Sequence, residues 1–102
     1  MSLKSRDLIT MPKLNYPLKK YEKAVRLIAE RNGLADVKVT STKGSIVRFE
    51  LFEIGQTVPM SIWVIHHSHD RKEEIWSRED YRKAARNLSC TEEEFLNTIK
   101  NI

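Results

Sequence analysis

The sequence is poor in cysteine, glycine and proline, with one, three and three of these residues among 102. A single cysteine excludes an intramolecular disulfide and the zinc sites that use paired cysteines. The few glycines form no phosphate-binding loop and no dinucleotide-binding fingerprint, and the GxSxG nucleophile motif is also absent. These absences disfavour the common cofactor classes, and we expect no cofactor.

Long apolar runs are missing as well. No stretch approaches the roughly 18 residues that a membrane-spanning helix needs, and the first residues lack the apolar core and cleavage site of a secretory signal. We therefore expect a cytoplasmic protein that does not cross a membrane. The formal net charge of +4 is compatible with a polyanionic partner, although many proteins carry such a charge for solubility alone.

The chain is long enough for one domain with its own core. Residues 1–15 show little periodicity and are predicted to form a flexible N-terminal tail, and residues 16–102 are predicted to form a single domain. Apolar residues at 3-4-3 spacing predict a helix from Pro17 to Arg31, and Asn32-Gly33 supplies its stop.

Three strands are predicted next. The first is short and contains Val37 and Val39, and the second runs from Ser45 to Ile54. Gly55-Gln56 is predicted to form a two-residue type II′ turn, after which Thr57 to His67 continues the sheet. Alternation predicts that three residues of the second strand face the core: Val47, Phe49 and Leu51.

Two C-terminal helices are predicted from their starts, because Ser77-x-x-Asp80 and Thr91-x-x-Glu94 both resemble capping boxes. Trp76 is interpreted as a core residue and Cys90 as a packing residue rather than a reactive thiol. The predicted fold is therefore a two-layer α+β domain of order α-β-β-β-α-α, with a three-stranded antiparallel sheet covered by helices on one face.

All three histidines lie at the end of the third strand, in His66-His67-Ser68-His69. Imidazole titrates near neutral pH and can move protons in ribonuclease chemistry, so His67 and His69 are the candidate catalytic residues, with Asp70 available to orient an imidazole. Their spacing would also permit a shared metal ion, but no further ligand motif supports one and no metal site is predicted. A polar strand end without chemistry is the alternative.

Basic side chains form a second candidate site. They recur at helical spacing in two of the helices, and if both helices cover the same sheet face, their charges could combine into a surface that follows a phosphate backbone. Helix surfaces of mixed sign are also routine in proteins that bind no nucleic acid. The residues predicted to contact RNA are Lys19, Lys23, Lys43, Arg48, Arg82 and Arg86.

A protein-interaction module is the alternative from a different functional class. Trp63 shares a strand face with Ile65, while Ile62 and Val64 lie on the opposite face, so one apolar face lacks a cover. Under this hypothesis the third strand and Trp63 form a homodimer or receive a protein partner.

Several short motifs resemble the HicA-type toxin family: Lys43-Gly44-Ser45 heading the second strand, His66-His67 ending the third, and the segment from Ser77 to Leu96. The resemblance covers about Leu18 to Ile99. It implies a double-stranded-RNA-binding-like fold, an RNA-cleaving activity and an antitoxin-like protein partner.

One position departs from the pattern of that family. The family usually places its catalytic histidine directly after the Gly-Ser pair, where this chain has Ile46, and an apolar side chain cannot move a proton. The resemblance therefore leaves three alternatives: a relative that has lost cleavage, one in which His66, His67 or His69 performs it, or a domain that shares only the fold.

Overall fold

A computed structural model describes residues 14–33, 36–42, 44–69 and 73–102. It shows the predicted α+β fold, with three helices, a three-stranded antiparallel sheet and an additional two-stranded sheet. No helix in these ranges is long and apolar enough to cross a membrane. Lys43 and the predicted tail up to residue 13 lie outside the described residues. The elements are β1 (Tyr16–Pro17), α1 (Leu18–Arg31), β2 (Asp36–Ser41), β3 (Ile46–Phe52), β4 (Ser61–His66), β5 (Glu74–Ile75), α2 (Arg78–Asn87) and α3 (Glu92–Lys100).

The first predicted helix is confirmed as α1. Pro17 precedes it with an extended backbone of φ −64° and ψ 152°, which suits proline because the ring fixes φ near this value. Gly33 follows the helix with φ +79°, a left-handed conformation that glycine adopts without steric cost. The buried residues of α1 are Tyr21, Ala24, Val25, Ile28 and Ala29.

The main sheet has the strand order β2-β3-β4, and both pairs are antiparallel. Phe49 lies opposite Val39 in one neighbour and Trp63 in the other. Val47, Phe49 and Leu51 are fully buried, as alternation predicted. They share one core with the buried residues of all three helices, so the helices cover the same face of the sheet. α1 packs along β2, α2 packs along β4, and α3 packs against both α1 and α2.

The predicted two-residue turn between the second and third strands is wrong. Residues 53–60 form the connection, and the N–H of Gln56 donates to the carbonyl oxygen of Glu53 at 3.1 Å. This bond places Gly55, with φ +80°, at the third position of a β-turn instead of the second. Pro59 lies in the connection because it has no N–H to offer a ladder, and the third strand is therefore shorter than predicted.

A second, two-stranded sheet was not predicted. β1 pairs with β5, with Tyr16 opposite Ile75 and Pro17 opposite Glu74. The Tyr81 hydroxyl joins the two strands, because it accepts from the Tyr16 N–H at 3.1 Å and donates to the Ile75 carbonyl oxygen. Strands of two residues are too short for periodicity to reveal.

Trp63 belongs to the core, so the hypothesis that it forms an interaction surface is wrong. Its indole is 5% exposed and stacks on Phe49 with 5.2 Å between ring centroids. Its Nε1–H donates to the Tyr21 hydroxyl at 3.1 Å, which satisfies the one polar group of the buried ring. Tyr21 in turn meets three aromatic rings at centroid distances of 5.2 to 5.7 Å: Phe49, Tyr81 and Phe95.

The two predicted capping boxes have different outcomes. The Thr91 hydroxyl accepts from the Glu94 N–H at 3.0 Å, and the Glu94 carboxylate accepts from the Thr91 N–H at 3.0 Å, so this box is confirmed. Ser77 makes no side-chain cap hydrogen bond, and the box predicted there is wrong. The carboxylate of Asp80 is buried and bonded to strand β4, so it does not turn back toward Ser77.

Candidate functional site

An open groove of about 760 Å³ lies where β4 ends and α2 begins. All three histidines line it, so His67 and His69, the candidate catalytic residues, meet at one surface. The indole of Trp76 lies in the same groove. The other lining residues are Ser68, Glu74, Ser77, Glu79, Asp80 and Lys83.

Helix α2 holds the strand end that carries the histidines. Asp80 is 4% exposed and accepts the backbone N–H of His66, with 3.2 Å between N and Oδ2. Lys83 donates to the carbonyl oxygen of Val64 at 2.9 Å and lies 3.7 Å from the Asp80 carboxylate. Because β4 is an edge strand, these side chains bind backbone groups that no neighbouring strand reaches. They fix the position of His66 relative to α2.

Two hydrogen bonds between Ser68 and Glu74 bring Trp76 beside the histidines. The Ser68 N–H donates to the Glu74 carbonyl oxygen at 2.8 Å, and the Glu74 N–H donates to the Ser68 hydroxyl at 2.9 Å. The interpretation of Trp76 as a core residue is wrong, since its side chain is 62% exposed. Ile75 takes the buried position in β5, and alternation directs the next side chain outward. The sequence alone does not show this alternation, because β5 has only two residues.

His67 is oriented by backbone groups on both sides. Its N–H donates to the Ser45 carbonyl oxygen at 3.0 Å, and its ring Nδ1 lies 2.7 Å from the Ser68 carbonyl oxygen. A carbonyl only accepts, so Nδ1 must carry the proton in this contact, which leaves Nε2 of the neutral ring as an acceptor. In the neutral ring, Nε2 of His67 is therefore available to accept a proton or a hydrogen bond. Asp70, the predicted orienting residue, lies outside the described residues.

Two of the carboxylates that line the groove have cationic partners. Asp80 faces Lys83, and Arg86 donates to Glu79 at 2.8 Å, a hydrogen bond that holds the pKa of Glu79 below its usual value. Glu74 accepts the Trp76 Nε1–H at 2.9 Å. Within the described ranges, no group of three histidine, cysteine or acidic side chains could hold a metal ion. The groove therefore presents imidazoles and an aromatic face.

The basic residues of the two helices do not form one combined surface. Arg26 of α1 donates to the Val37 carbonyl oxygen at 2.9 Å on β2, whereas Lys83 of α2 donates to Val64 on β4. Because β2 and β4 are the two edges of the sheet, the outward sides of α1 and α2 lie apart, and α3 packs between them. The predicted RNA contacts Lys19 and Lys23 are exposed on α1, away from the histidine groove.

The predicted arginine contacts carry acidic partners. The nearest N–O distances are 3.4 Å from Arg48 to Glu50, 3.7 Å from Arg82 to Glu92 and 2.8 Å from Arg86 to Glu79. All three arginine side chains remain about half exposed or more, at 49%, 48% and 63%. They are therefore accessible to a phosphate, but each would share its charge with a carboxylate.

Ile46, the position of the family's catalytic histidine, lies directly opposite His66 in the β3–β4 register. Side chains of residues paired in this way stand about 5 Å apart at Cβ. A histidine is thus present beside that position, on the adjacent strand. No family model, no curated protein and no solved structure matches the chain, so the HicA-type resemblance rests on its sequence motifs alone.

Proposed function

We propose that this protein binds RNA and takes a single-stranded segment into the histidine groove. The observation that carries the proposal is the presence of an exposed indole, Trp76, in one groove with three imidazoles. Proteins bind unpaired bases by stacking them on aromatic rings, and cationic side chains beside the rings contact the phosphates.

The exposure of Trp76 supports this function. An indole with 62% of its surface in water gives no core packing, and its Nε1–H bond to Glu74 fixes the ring while leaving its surface free. The pairing of Asp80 with Lys83 and of Glu79 with Arg86 lowers the repulsion that a phosphate would otherwise meet. Arg86, whose guanidinium bonds to the lining residue Glu79, then supplies a predicted phosphate contact beside the groove.

The orientation of His67 favours a cleavage step as a second activity of the same site. Its unprotonated Nε2 can accept the proton of a ribose 2′-hydroxyl while the 2′-oxygen attacks the adjacent phosphorus. The bond from phosphorus to the 5′-oxygen breaks, and that oxygen takes a proton from a protonated imidazole, a role we assign to His69. The products are a 2′,3′-cyclic phosphate and a 5′-hydroxyl.

Fluorescence anisotropy with a labelled single-stranded RNA of about 12 nucleotides tests the binding proposal. We expect binding at about 50 mM salt that weakens steeply by about 200 mM, because phosphate contacts release counterions. Trp76→Ala should weaken binding about tenfold, the worth of a lost base stack. Leu27→Ala, an exposed apolar residue of α1, is the matched control and should bind like the wild type.

Two results would count against the proposal: no binding at low salt, or equal affinity for Trp76→Ala and the control. Cleavage is scored in the same samples by gel, with His67→Ala and His69→Ala as variants. Intact RNA bound by the wild type would remove the cleavage step and keep the binding function.

A further inference from the structure

The face of the main sheet opposite the helices is uncovered in the part of the chain that the structure describes. Side chains that alternate with the buried ones in β3 and β4 point to this side. Ile62 is half exposed there, and its neighbours Ile46, Phe52 and Val64 are partly exposed. We define the outer face by six residues of β3 and β4: Ile46, Arg48, Glu50, Phe52, Ile62 and Val64. Lys38 and Thr40 of β2 lie on the same side, opposite Glu50 and Arg48.

Glu50 is buried on the outer face and lacks a full set of partners. Its exposure is 6%, and its Oε2 lies 3.4 Å from Nη2 of Arg48. Its Oε1 is buried and has no hydrogen-bond partner among the described residues. A carboxylate oxygen removed from water without a donor is costly, so such atoms in native proteins usually have a partner. Lys38 lies opposite Glu50 on β2, but its side chain makes no hydrogen bond to this oxygen. A donor from a second molecule on the outer face would satisfy it.

We propose that the outer face binds a second copy of this chain, related to the first by a two-fold axis. The axis lies between the two sheets, parallel to them and perpendicular to the strands. The axis passes between the levels of Arg48 and Glu50 on β3, the central strand. The guanidinium of Arg48 in each copy then lies against the carboxylate of Glu50 in the other copy, and Oε1 gains its donor. A two-fold interface of this kind repeats each contact twice.

The register of the sheet makes the rest of the outer face self-complementary under the same axis. Ile62 is level with Glu50 and Val64 is level with Arg48, so Ile62 of one copy meets Val64 of the other. Ile46 and Phe52 lie at equal distances on either side of the axis and also meet across it. On β4 and at the ends of β3, apolar side chains thereby contact apolar side chains, and the charged pair lies at the middle of β3. On β2, Lys38 of one copy meets Thr40 of the other.

The charge pattern excludes the other simple arrangement. A two-fold axis along β3 would place Arg48 against Arg48 and Glu50 against Glu50, and like charges opposed in an interface are unfavourable. The perpendicular axis opposes unlike charges only. Two sheets packed face to face lie about 10 Å apart, which lets side chains of this length interdigitate.

The connection between β3 and β4 extends the apolar surface at the end of the outer face. Ile54, Val58 and Met60 are 75%, 72% and 50% exposed. Three strands alone form a smaller surface than the about 800 Å² per partner of a standard stable interface. We therefore expect a dissociation constant in the micromolar range and a monomer–dimer equilibrium.

Analytical ultracentrifugation of the full chain, from about 1 μM to about 1 mM, tests this inference. The wild type should shift from the 12.0 kDa monomer to a dimer as concentration rises. Ile62→Glu should stay monomeric, because it places two carboxylates in the apolar contact. Leu27→Glu is the matched control on α1 and should dimerise like the wild type. Circular dichroism establishes that each variant is folded.

A charge reversal tests the orientation of the two copies. Arg48→Glu alone should weaken association at least tenfold, and Arg48→Glu combined with Glu50→Arg should restore it. A wild type that stays monomeric, or an Ile62→Glu chain that still dimerises, would overturn the proposal and leave the outer face to a different partner or none. Failure of the double variant to recover would exclude the perpendicular axis.

Discussion

The carboxylate of Asp80 accepts the backbone N–H of His66, so a helix side chain closes the free edge of strand β4. The other edge of the sheet is closed in a related way, since Arg26 of α1 donates to the Val37 carbonyl oxygen. Unpaired strand edges invite pairing with other chains, and charged side chains placed on them oppose it. The two contacts also attach each flanking helix to the strand it covers.

Asp80→Ala is predicted to destabilise the protein by about 1–3 kcal/mol, because it leaves the His66 N–H without its acceptor and Lys83 without its charged partner. Urea unfolding followed by circular dichroism measures the change. Glu79→Ala is the control, since Glu79 is exposed and such substitutions usually stay within about 0.5 kcal/mol. Equal stability of the two variants would show that the buried carboxylate is not what secures the strand end.

The two similar helix starts are predicted to respond differently to the loss of their hydroxyls. Thr91→Ala removes an acceptor that the Glu94 N–H uses and should cost about 1 kcal/mol. Ser77→Ala removes a hydroxyl that makes no cap hydrogen bond and should change stability by less than about 0.5 kcal/mol. The same urea titration compares them, and a larger loss for Ser77→Ala would contradict the assignment of the caps.

These two helix starts show what a local sequence motif can predict and what it cannot. Thr91 and Ser77 begin the same motif, but the acid that follows Ser77, Asp80, accepts the N–H of His66 in strand β4. A rule based on the helix sequence alone does not include this competing contact. Alternation found the core residues of β3 because a half-buried strand imposes a strict period of two. It failed for Trp76, whose outward position depends on the two-residue pairing of β1 with β5.

The sequence predicted the histidines of the candidate site but not the residues around them. Adjacent histidines at a strand end are visible in the sequence, so His67 and His69 could be named before the fold was known. The residues around them come together through tertiary contacts. Trp76 reaches the groove through the bonds between Ser68 and Glu74, and Lys83 reaches it because its helix packs along β4. The basic residues of α1 and α2 do not form the one surface that the sequence predicted, because these helices pack along opposite edges of the sheet.

Cys90 is predicted to react slowly with alkylating agents. Burial raises the pKa of its thiol, and the nearby carboxylate of Glu94 adds to the shift. Only the thiolate reacts, so the rate with iodoacetamide at pH 7.5 should be several-fold lower for the folded chain than for the urea-unfolded chain. Mass spectrometry of timed samples gives both rates. A faster reaction in the folded state would contradict the interpretation of Cys90 as a packing residue.

Tyr21→Phe is predicted to lower stability near neutral pH. The Tyr21 hydroxyl donates to the Asp80 carbonyl oxygen at 2.6 Å and accepts the Trp63 Nε1–H. Its removal leaves the buried Trp63 Nε1–H without an acceptor, and the Asp80 carbonyl oxygen keeps only its bond within helix α2. We expect a loss of about 1–3 kcal/mol. Urea unfolding at pH 7 measures it, with Trp76→Phe as a control at an exposed aromatic position.

The same substitution should reduce the sensitivity of the fold to alkaline pH. Burial raises the pKa of Tyr21 far above its usual value of 10.0, and burial also raises the pKa of Tyr81. Above about pH 10 the unfolded chain therefore loses protons that the folded chain keeps, so the free energy of unfolding falls as pH rises. Lysine titration affects both proteins alike, so a smaller slope between pH 9 and 11 in Tyr21→Phe isolates the buried hydroxyl. Identical slopes would mean that Tyr21 can ionise without leaving the core.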